Sequence, residues 1–202
     1  MILKLYPQNN QRADVQRVVD VLERGGVIVY PTDTLYAIGC HGLQERAIEK
    51  VAQLKGLNTR KQLLSVTCHS IQQASQFAKI DNQAFKLMKR YLPGPYTFIL
   101  PAMNKLPKIF KNRKEVGIRI PNSPILEVVE MLEAPILSST VPYKINGDIE
   151  YLTDPELIAE AWGEQVDLVI DGGIGGVQAS TIVDCTDGTP IVVREGAGEW
   201  YE

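Results

Sequence analysis

Apolar residues recur at helical spacing in several stretches of the chain. Within Gln11–Arg24 they follow the i, i+3, i+4, i+7 pattern of an amphipathic helix, which Gly25-Gly26 would end. The segment Thr153-Asp154-Pro155-Glu156 is typical of a helix start, because a capping residue precedes a proline and an acidic side chain. The same reasoning predicts further helices around Ala47–Leu54 and over Ile71–Ala78, Gln83–Leu92 and Ile125–Leu132.

Short apolar runs between these segments predict strands. They lie at Ile2–Tyr6, Val27–Tyr30, Leu63–Cys68, Phe98–Leu100, Val116–Ile120, Ile136–Thr140, Val166–Ile170, Thr181–Asp184 and Ile191–Val193. Helices and strands alternate for most of the chain, which predicts an α/β class with a mixed, twisted sheet. No linker divides the sequence, so we expect one domain over residues 1–202. The least regular stretch is Val141–Leu152, for which the pattern predicts a loop.

Composition is that of a globular protein, with 45% hydrophobic and 22% charged residues among 202. The chain shows no basic leader followed by an apolar run and no stretch of 18 apolar residues, so we expect a cytoplasmic protein with no membrane partner. The three cysteines are far apart and form no metal-binding pair, and we expect no metal site of the protein's own. Phosphate-loop, dinucleotide-binding and nucleophile-elbow motifs are also missing from the sequence.

Charge is distributed unevenly around a net value of −3. Residues 86–119 carry nine basic groups and one acidic group, whereas residues 120–202 carry two basic and 16 acidic groups. A basic middle in an acidic chain favours a local anion site over a general nucleic-acid coat. A solvated lysine-rich loop and helix would explain the cluster equally well.

Three short segments carry polar groups suited to a small anionic ligand. Thr32 and Thr34 directly follow a buried strand, where their hydroxyls would either contact a ligand or close a local turn. Lys55 and Arg60 flank a helix end, where cations either compensate the helix dipole or bracket a phosphate. Arg119 lies inside an apolar strand, where it needs either a carboxylate or phosphate ligand or a structural acidic partner.

Glycines and small polar residues flank the last strands. Gly172-Gly173 precedes Ser180-Thr181, and Arg194 opens a segment that ends at Gly198. Glycines allow backbone amides to approach an anion closely, although they also serve ordinary turns. The segment Pro93–Thr97 is interpreted as a rigid turn before a strand.

Together these segments resemble the YrdC/YciO family, which includes the threonylcarbamoyl-adenylate synthases of tRNA modification. The resemblance rests on six stretches in family order, namely Gly25–Gly39, Pro93–Thr97, Gly117–Pro121, Asp167–Gly173, Ser180–Asp184 and Val193–Ala197. It implies a YrdC-like twisted open sheet flanked by helices, with a large basic concave cleft. It also implies a nucleotidyltransferase reaction in which L-threonine, bicarbonate and ATP with Mg²⁺ yield threonylcarbamoyl-AMP and pyrophosphate.

The resemblance assigns roles residue by residue. Thr32, Thr34 and Ser180 would contact the amino acid, and Arg119 would hold its carboxylate. Lys55 would face bicarbonate or phosphate, and Arg194 would lie near the nucleotide. Such chemistry needs no covalent nucleophile, because positioning and cationic stabilisation of the phosphoryl charge suffice.

The sequence departs from the synthase pattern at two motifs, and the resemblance places both motifs on the nucleotide side of the cleft. In the K-x-R-P pattern Lys55 remains, but Leu57 and Asn58 replace the arginine and the proline, so that Arg60 is a candidate substitute. In the S-x-N pattern Thr140 retains a hydroxyl, but Pro142 replaces the asparagine. The chain therefore resembles the YciO branch most. We expect it to bind a nucleotide and an amino-acid-like anion and to have a weak or altered synthase activity. The alternative is a non-catalytic protein that binds tRNA or double-stranded RNA in the cleft.

Overall fold

The structure is a computed structural model that describes residues 1–56, 64–110, 113–142 and 148–201. These ranges contain seven α-helices and one short 3₁₀ helix at Lys108–Phe110. The helices are α1 (Arg12–Glu23), α2 (Glu45–Leu54), α3 (Ile71–Ala74), α4 (Asn82–Tyr91), α5 (Ile125–Leu132), α6 (Glu150–Thr153) and α7 (Pro155–Trp162). The strands are β1 (Ile2–Lys4), β2 (Val27–Tyr30), β3 (Ala37–His41), β4 (Ser65–Thr67), β5 (Tyr96–Pro101), β6 (Glu115–Arg119), β7 (Ile136–Thr140), β8 (Leu168–Asp171), β9 (Thr181–Asp184) and β10 (Ile191–Arg194).

All ten strands belong to one mixed sheet in the order β1-β8-β2-β3-β7-β4-β6-β5-β9-β10. Parallel pairs join β1 to β8, β8 to β2, β4 to β6 and β5 to β9. The other neighbours are antiparallel. The mixed α/β class predicted from the alternation of elements is therefore confirmed.

Helices cover the two faces of the sheet unequally. One face packs against α2, α3, α4 and α7 along most of the sheet, around residues such as Ile38, Val66 and Phe98. On the other face, α1 and α5 pack over β8, β2, β3 and β7, around Ile28 and Ile136. Helix periodicity and strand alternation together produce this two-layer core, since each element buries its apolar side.

Most predicted elements lie within a few residues of the observed ones, and three differ. Strand β3 has no counterpart in the predictions, because Ala37–His41 contains a glycine and a histidine that weaken a strand pattern. Its place between β2 and β7 supplies ladder partners on both sides, which outweighs its weak local preference. Helix α3 ends at Ala74 rather than Ala78. Helix α6 occupies the end of the stretch predicted to be a loop.

The start of α7 follows the predicted capping pattern. Asp154 is the N-cap, its carboxylate accepts a hydrogen bond from the backbone N–H of Glu156 at 2.8 Å, and Pro155 occupies the first turn. We expect Asp154→Ala to lower the free energy of unfolding by about 1 kcal/mol, because a helical N–H loses its acceptor. Thermal denaturation should show a midpoint about 2–4 °C lower. Asp187→Ala, at an exposed turn, is the control that should leave the midpoint unchanged.

None of the helices in the described ranges combines the length and apolarity needed to cross a membrane.

Candidate functional site

A polar cavity of about 250 Å³ lies on the same face of the sheet as α1 and α5. It lies beside these helices, over the strands that come next in the sheet order. Its lining residues come from strands or their ends and are Thr34, Leu35, Ala37, Leu64, Ser65, Thr97, Ile99, Gly117, Arg119, Ser138, Ser139, Thr140, Ala179, Ser180, Ile182 and Arg194. Under the helices this face carries residues such as Ile28 and Leu168, whereas over β7, β4, β6 and β5 it carries hydroxyls, a glycine and a guanidinium. The change from apolar to small polar side chains therefore defines the site.

Strand register brings these side chains to the same face. Gly117 pairs with Ile99, and Ser138 pairs with Ser65. Residues two positions apart on one strand share a face, so Arg119 joins Gly117, and Thr140 joins Ser138. A side chain at position 117 would meet the methyl group of Thr97 at 3.2 Å, so a glycine there keeps the cavity floor open.

Arg119 is held by Asp33 and Thr34. Its Nη2 donates to Asp33 Oδ1 at 2.9 Å and to Thr34 Oγ1 at 3.1 Å, and the other carboxylate oxygen of Asp33 accepts from the backbone N–H of Asn122 at 2.8 Å. Burial raises the pKa of Asp33, while Arg119 and the Asn122 N–H act in the opposite direction. Among the described residues, the buried Nε of Arg119 has no hydrogen-bond partner. The guanidinium therefore has a structural carboxylate partner, while its buried Nε–H has no acceptor among the described residues.

The hydroxyl of Thr34 has a defined hydrogen-bond direction. Thr32 Oγ1 donates to the carbonyl of Leu35 at 2.7 Å, which uses its one hydrogen. In the contact of 2.9 Å between the two threonine hydroxyls, Thr34 must therefore be the donor. Since its oxygen also accepts from Arg119, Thr34 offers the cavity a lone pair and no hydrogen. It suits an ammonium or hydroxyl group of a ligand.

Ser180 and Arg194 form a second polar group in the cavity. Ser180 Oγ lies 2.8 Å from Thr97 Oγ1, and one hydrogen of this hydroxyl pair remains available in either direction of donation. Arg194 Nη2 donates to Ser180 Oγ at 3.1 Å and to the Ser180 carbonyl at 2.7 Å. Burial and, to a lesser extent, the charge of Arg119 lower the pKa of Arg194. The guanidinium groups of Arg119 and Arg194 would therefore both act on a ligand in this one small cavity.

Lys55 and Thr32 contact lining residues without lining the cavity themselves. The ammonium of Lys55, at the end of α2, donates to the carbonyl of Thr140 at the end of β7. Burial lowers the pKa of Lys55. Of the candidate residues, Thr34, Arg119, Thr140, Ser180 and Arg194 line one cavity, Thr32 and Lys55 support it, and Arg60 lies outside the described residues.

Sequence reasoning placed the site at strand ends and missed residues in the middle of strands. Thr97 was interpreted only as part of a rigid turn, and Ser65, Ser138 and Ile99 were not singled out. The signal was complete in β6, where Glu115, Gly117 and Arg119 fall at every second position, and partial in β5 and β7, where Thr97 shares its face with Ile99 and Ser138 shares its face with Ile136. Asp33 was also missed as the acidic partner of Arg119, although it stands between two candidate threonines.

The basic residues of 86–119 do not gather in this cavity. Of those that the structure describes, Arg119 alone lines it, whereas Lys108 pairs with Glu45 at 3.2 Å and Arg90 lies over the ring of Tyr91. A large basic cleft therefore stays a prediction from the resemblance.

The fold and the site define the class as an α/β protein with a mixed ten-stranded sheet and a hydroxyl-rich cavity that holds two arginines. The sequence model of the Sua5/YciO/YrdC family, described as "telomere recombination", matches residues 20–196. The chain belongs to this family, which confirms the resemblance drawn from the six motifs.

Relatives of known sequence place the chain nearer to YciO than to the synthases. YciO of Escherichia coli strain K12 is 37% identical over 198 residues, covering 96% of this chain and 95% of that protein. A threonylcarbamoyl-AMP synthase of Pyrococcus abyssi is 31% identical over 180 residues, covering 87% of this chain and 52% of the synthase.

Solved structures agree with this placement. The crystal structure of E. coli YciO superposes with a TM-score of 0.87 at 35% identity, over 98% of this chain and 97% of that one. The structure of P. abyssi Sua5 complexed with L-threonine gives a TM-score of 0.85 at 26% identity, over 97% of this chain and 57% of that one.

Proposed function

We propose that the cavity binds an amino acid together with an adenine nucleotide, and that the chain forms threonylcarbamoyl-AMP from L-threonine, bicarbonate and ATP more slowly than the synthases do. The observation that carries the proposal is the convergence of two guanidinium groups, those of Arg119 and Arg194, on one hydroxyl-lined cavity. Two cations that meet at one small site favour an anionic ligand, which would offset their mutual repulsion. The Sua5 relative complexed with L-threonine supports an amino acid as that ligand.

The polar groups of the cavity match the two charged ends of an amino acid. Arg119 supplies donors for a carboxylate, and Thr34 supplies the lone pair that an ammonium group needs. The Thr97–Ser180 pair keeps one hydrogen for a further oxygen of the ligand. This arrangement discriminates a zwitterion from a simple carboxylate, because the simple carboxylate offers no hydrogen to the remaining lone pair of Thr34.

The nucleotide would occupy the side of the cavity formed by Thr140 and Arg194, with Lys55 adjacent. Arg194 retains guanidinium hydrogens beyond those given to Ser180, and these can donate to a phosphate. Mg²⁺ enters the proposal as the counter-ion of the ATP phosphates. In the described ranges no group of three acidic, histidine or cysteine side chains could ligate it by itself.

The chemistry proposed for the site is positioning with electrostatic stabilisation. The amino group of threonine attacks the carbon of bicarbonate, a C–O bond breaks and water leaves, which gives a carbamate. An oxygen of the carbamate then attacks the α-phosphorus of ATP while the bond to pyrophosphate breaks and pyrophosphate leaves. Arg119 and Arg194 would orient the reactants and stabilise the charge that develops on phosphate. Because Leu57 and Pro142 replace two polar residues of the synthase pattern, fewer donors reach the phosphates and we expect slow turnover.

RNA binding receives no support from the distribution of charge in the cavity. An RNA cleft needs a row of cations along one concave surface. The described cations of residues 86–119 contribute Arg119 to the cavity, and Arg119 is paired with Asp33. We therefore favour the small-molecule site.

Calorimetric titration tests this proposal directly. ATP with Mg²⁺ is titrated into the protein with and without saturating L-threonine, and we expect tighter ATP binding when threonine is present because the two ligands share one cavity. L-Threonine amide, which lacks the carboxylate, is the matched control and should give no enhancement. Absence of heat with either ligand, at protein concentrations that would detect millimolar affinity, contradicts the proposal.

A further inference from the structure

Arg194 reaches the cavity because strand β10 contains a β-bulge. Val192 pairs with Val183 and Arg194 pairs with Ile182, so Val193 is an extra residue in β10. Residues directly opposite each other on antiparallel strands share a face, and Ile182 lines the cavity. In an unbroken ladder Val193 would stand opposite Ile182, and Arg194 would be turned to the other face. The bulge therefore decides whether this guanidinium contributes to the site.

Strand β10 gives this register little support of its own. It is an edge strand beside β9, and the side chains of Ile191 and Val193 are largely exposed. A bulge disrupts the hydrogen-bond ladder around it, and Arg194 is the last residue of the strand. Support for the position of Arg194 has to come from the residues that follow β10.

Residues 196–201 form a strap that one buried hydroxyl fixes to β9. Thr181 is 1% exposed and faces away from the cavity, since its neighbours Ser180 and Ile182 line it. Its Oγ1 accepts from the N–H groups of Gly196 at 3.0 Å and Gly198 at 3.1 Å, and it donates to the carbonyl of Gly198 at 2.6 Å. The one hydrogen and both lone pairs of this hydroxyl are thereby used on the strap.

Tyr96, from the segment Pro93–Thr97, holds the strap at a second point. Its hydroxyl donates to the carbonyl of Glu199 at 2.6 Å. Its ring lies so close to Gly198 that a side chain at position 198 would meet it at 2.5 Å. This segment, which the sequence predicted only as a rigid turn, therefore contributes Thr97 to the cavity on one face and Tyr96 to the strap on the other.

We infer that the strap, held by Thr181 and Tyr96, keeps β10 in the bulged register and so directs Arg194 into the cavity. Thr181 and Tyr96 are then positioning residues that act through Arg194. Gly196 belongs to the same device, because a Cβ there would meet the carbonyl oxygen of Ala179 at 2.3 Å and push the strap away from β9. The inference rests on the proposed function, in which Arg194 donates to a phosphate.

The ligand-free test measures solvent exchange of the Arg194 Nε hydrogen by NMR. In the wild type this hydrogen is bonded to the Ser180 carbonyl at 3.1 Å and should exchange slowly. Thr181→Val keeps the side-chain shape but leaves two N–H groups of the strap without their acceptor, so we expect exchange about tenfold faster or more. Thr181→Ser keeps the hydroxyl and should behave like the wild type. Tyr96→Phe removes one bond of the strap, should raise the exchange rate by less, and carries the test if Thr181→Val does not fold.

Deleting Val193 provides the rescue experiment. Without the extra residue, an unbroken ladder places Arg194 opposite Ile182, so the guanidinium faces the cavity without help from the strap. We therefore expect Thr181→Val combined with deletion of Val193 to regain slow Nε exchange, which shortening an edge strand would not achieve if the defect were a general loss of stability. The matched control Thr153→Val removes another buried threonine hydroxyl, bonded to the carbonyl of Ile149 away from β10, and should leave Arg194 exchange unchanged.

Calorimetry with AMP connects the position of Arg194 to binding. Arg194→Ala should lower AMP affinity about ten- to a hundredfold, the range for a lost bond to a charged group. Thr181→Val should cause most of the same loss, and combining the two changes should cost nothing more than Arg194→Ala alone.

Three results would overturn the inference. They are wild-type Nε exchange in folded Thr181→Val or in Tyr96→Phe, a loss of AMP affinity that adds to that of Arg194→Ala, and fast exchange that persists after Val193 is deleted. A wild-type protein that does not bind AMP refutes the proposed function instead, and the exchange measurements then still decide what holds Arg194.

Discussion

The double variant Arg119→Ala/Asp33→Asn is expected to lose L-threonine affinity by a factor on the order of 30 to 1000, which corresponds to about 2–4 kcal/mol for a charge-assisted pair in a partly dry site. Arg119 lines the cavity, and its side chain is 12% exposed. Water therefore screens the contact with a carboxylate only weakly. Calorimetry or a competition assay with a fluorescent analogue measures the loss.

The paired change is needed because Asp33 depends on Arg119. Removing the arginine alone leaves a carboxylate that is 11% exposed without its cation, and breaking such a buried pair costs about 3–5 kcal/mol. The amide introduced by Asp33→Asn keeps an oxygen for the backbone N–H of Asn122 and carries no charge. Circular dichroism should show a folded double variant.

Two controls isolate the ligand contact. Asp33→Asn by itself should bind threonine nearly as the wild type does, because the guanidinium remains. Arg90→Ala removes an exposed arginine outside the cavity and should leave affinity unchanged. Threonine affinity in the folded double variant equal to that of the wild type would rule out Arg119 as the carboxylate contact.

The second large effect concerns the two departures from the synthase pattern. We expect the wild type to convert ATP to pyrophosphate in a reaction that depends on threonine and bicarbonate. Its rate should be lower than that of a complete synthase by a factor of about 10²–10³ for each missing transition-state contact. The contacts are the guanidinium absent at Leu57 and the amide absent at Pro142. Pyrophosphate release, measured beside a relative with both patterns intact, gives the comparison.

Restoring both groups should recover part of this rate or of the ATP affinity. Lys55 at the end of α2 contacts the carbonyl of Thr140, two residues before Pro142, and in the proposed function both restored groups would touch the same nucleotide phosphates. The changes Leu57→Arg and Pro142→Asn should therefore reinforce each other, with a gain greater than the two single gains combined. Leu57→Ala/Pro142→Ala is the matched control, which alters the same positions without adding donors.

Three results would contradict this account of the departures. Wild-type turnover at the rate of a complete synthase would show that the missing groups are not needed. A double variant that binds ATP no better than the wild type would indicate that this side of the cavity serves another ligand. An equal gain in the alanine control would assign the effect to the backbone rather than to the added donors.

Periodicity predicted the elements whose apolar residues face one core, as α1 and α5 illustrate. It failed for β3, because that strand is stabilised by its neighbours β2 and β7 more than by its own residues. It also failed for the cavity floor. A polar residue at every second strand position is ordinarily solvent-facing, and only the sheet order shows that Thr97, Gly117 and Ser138 come from strands that lie close together.

The sequence by itself determined the α/β class, the family and five cavity residues, namely Thr34, Arg119, Thr140, Ser180 and Arg194. The class follows from local spacing, whereas the family and the cavity residues follow from the resemblance that motifs contiguous in the chain carry. Tertiary structure alone decided that Asp33, among 24 acidic residues, is the partner of Arg119, and that the hydroxyl of Tyr96 holds the carbonyl of Glu199. Such pairings join residues far apart in sequence, and their energies depend on distances of a few ångströms and on burial, which the folded sheet sets.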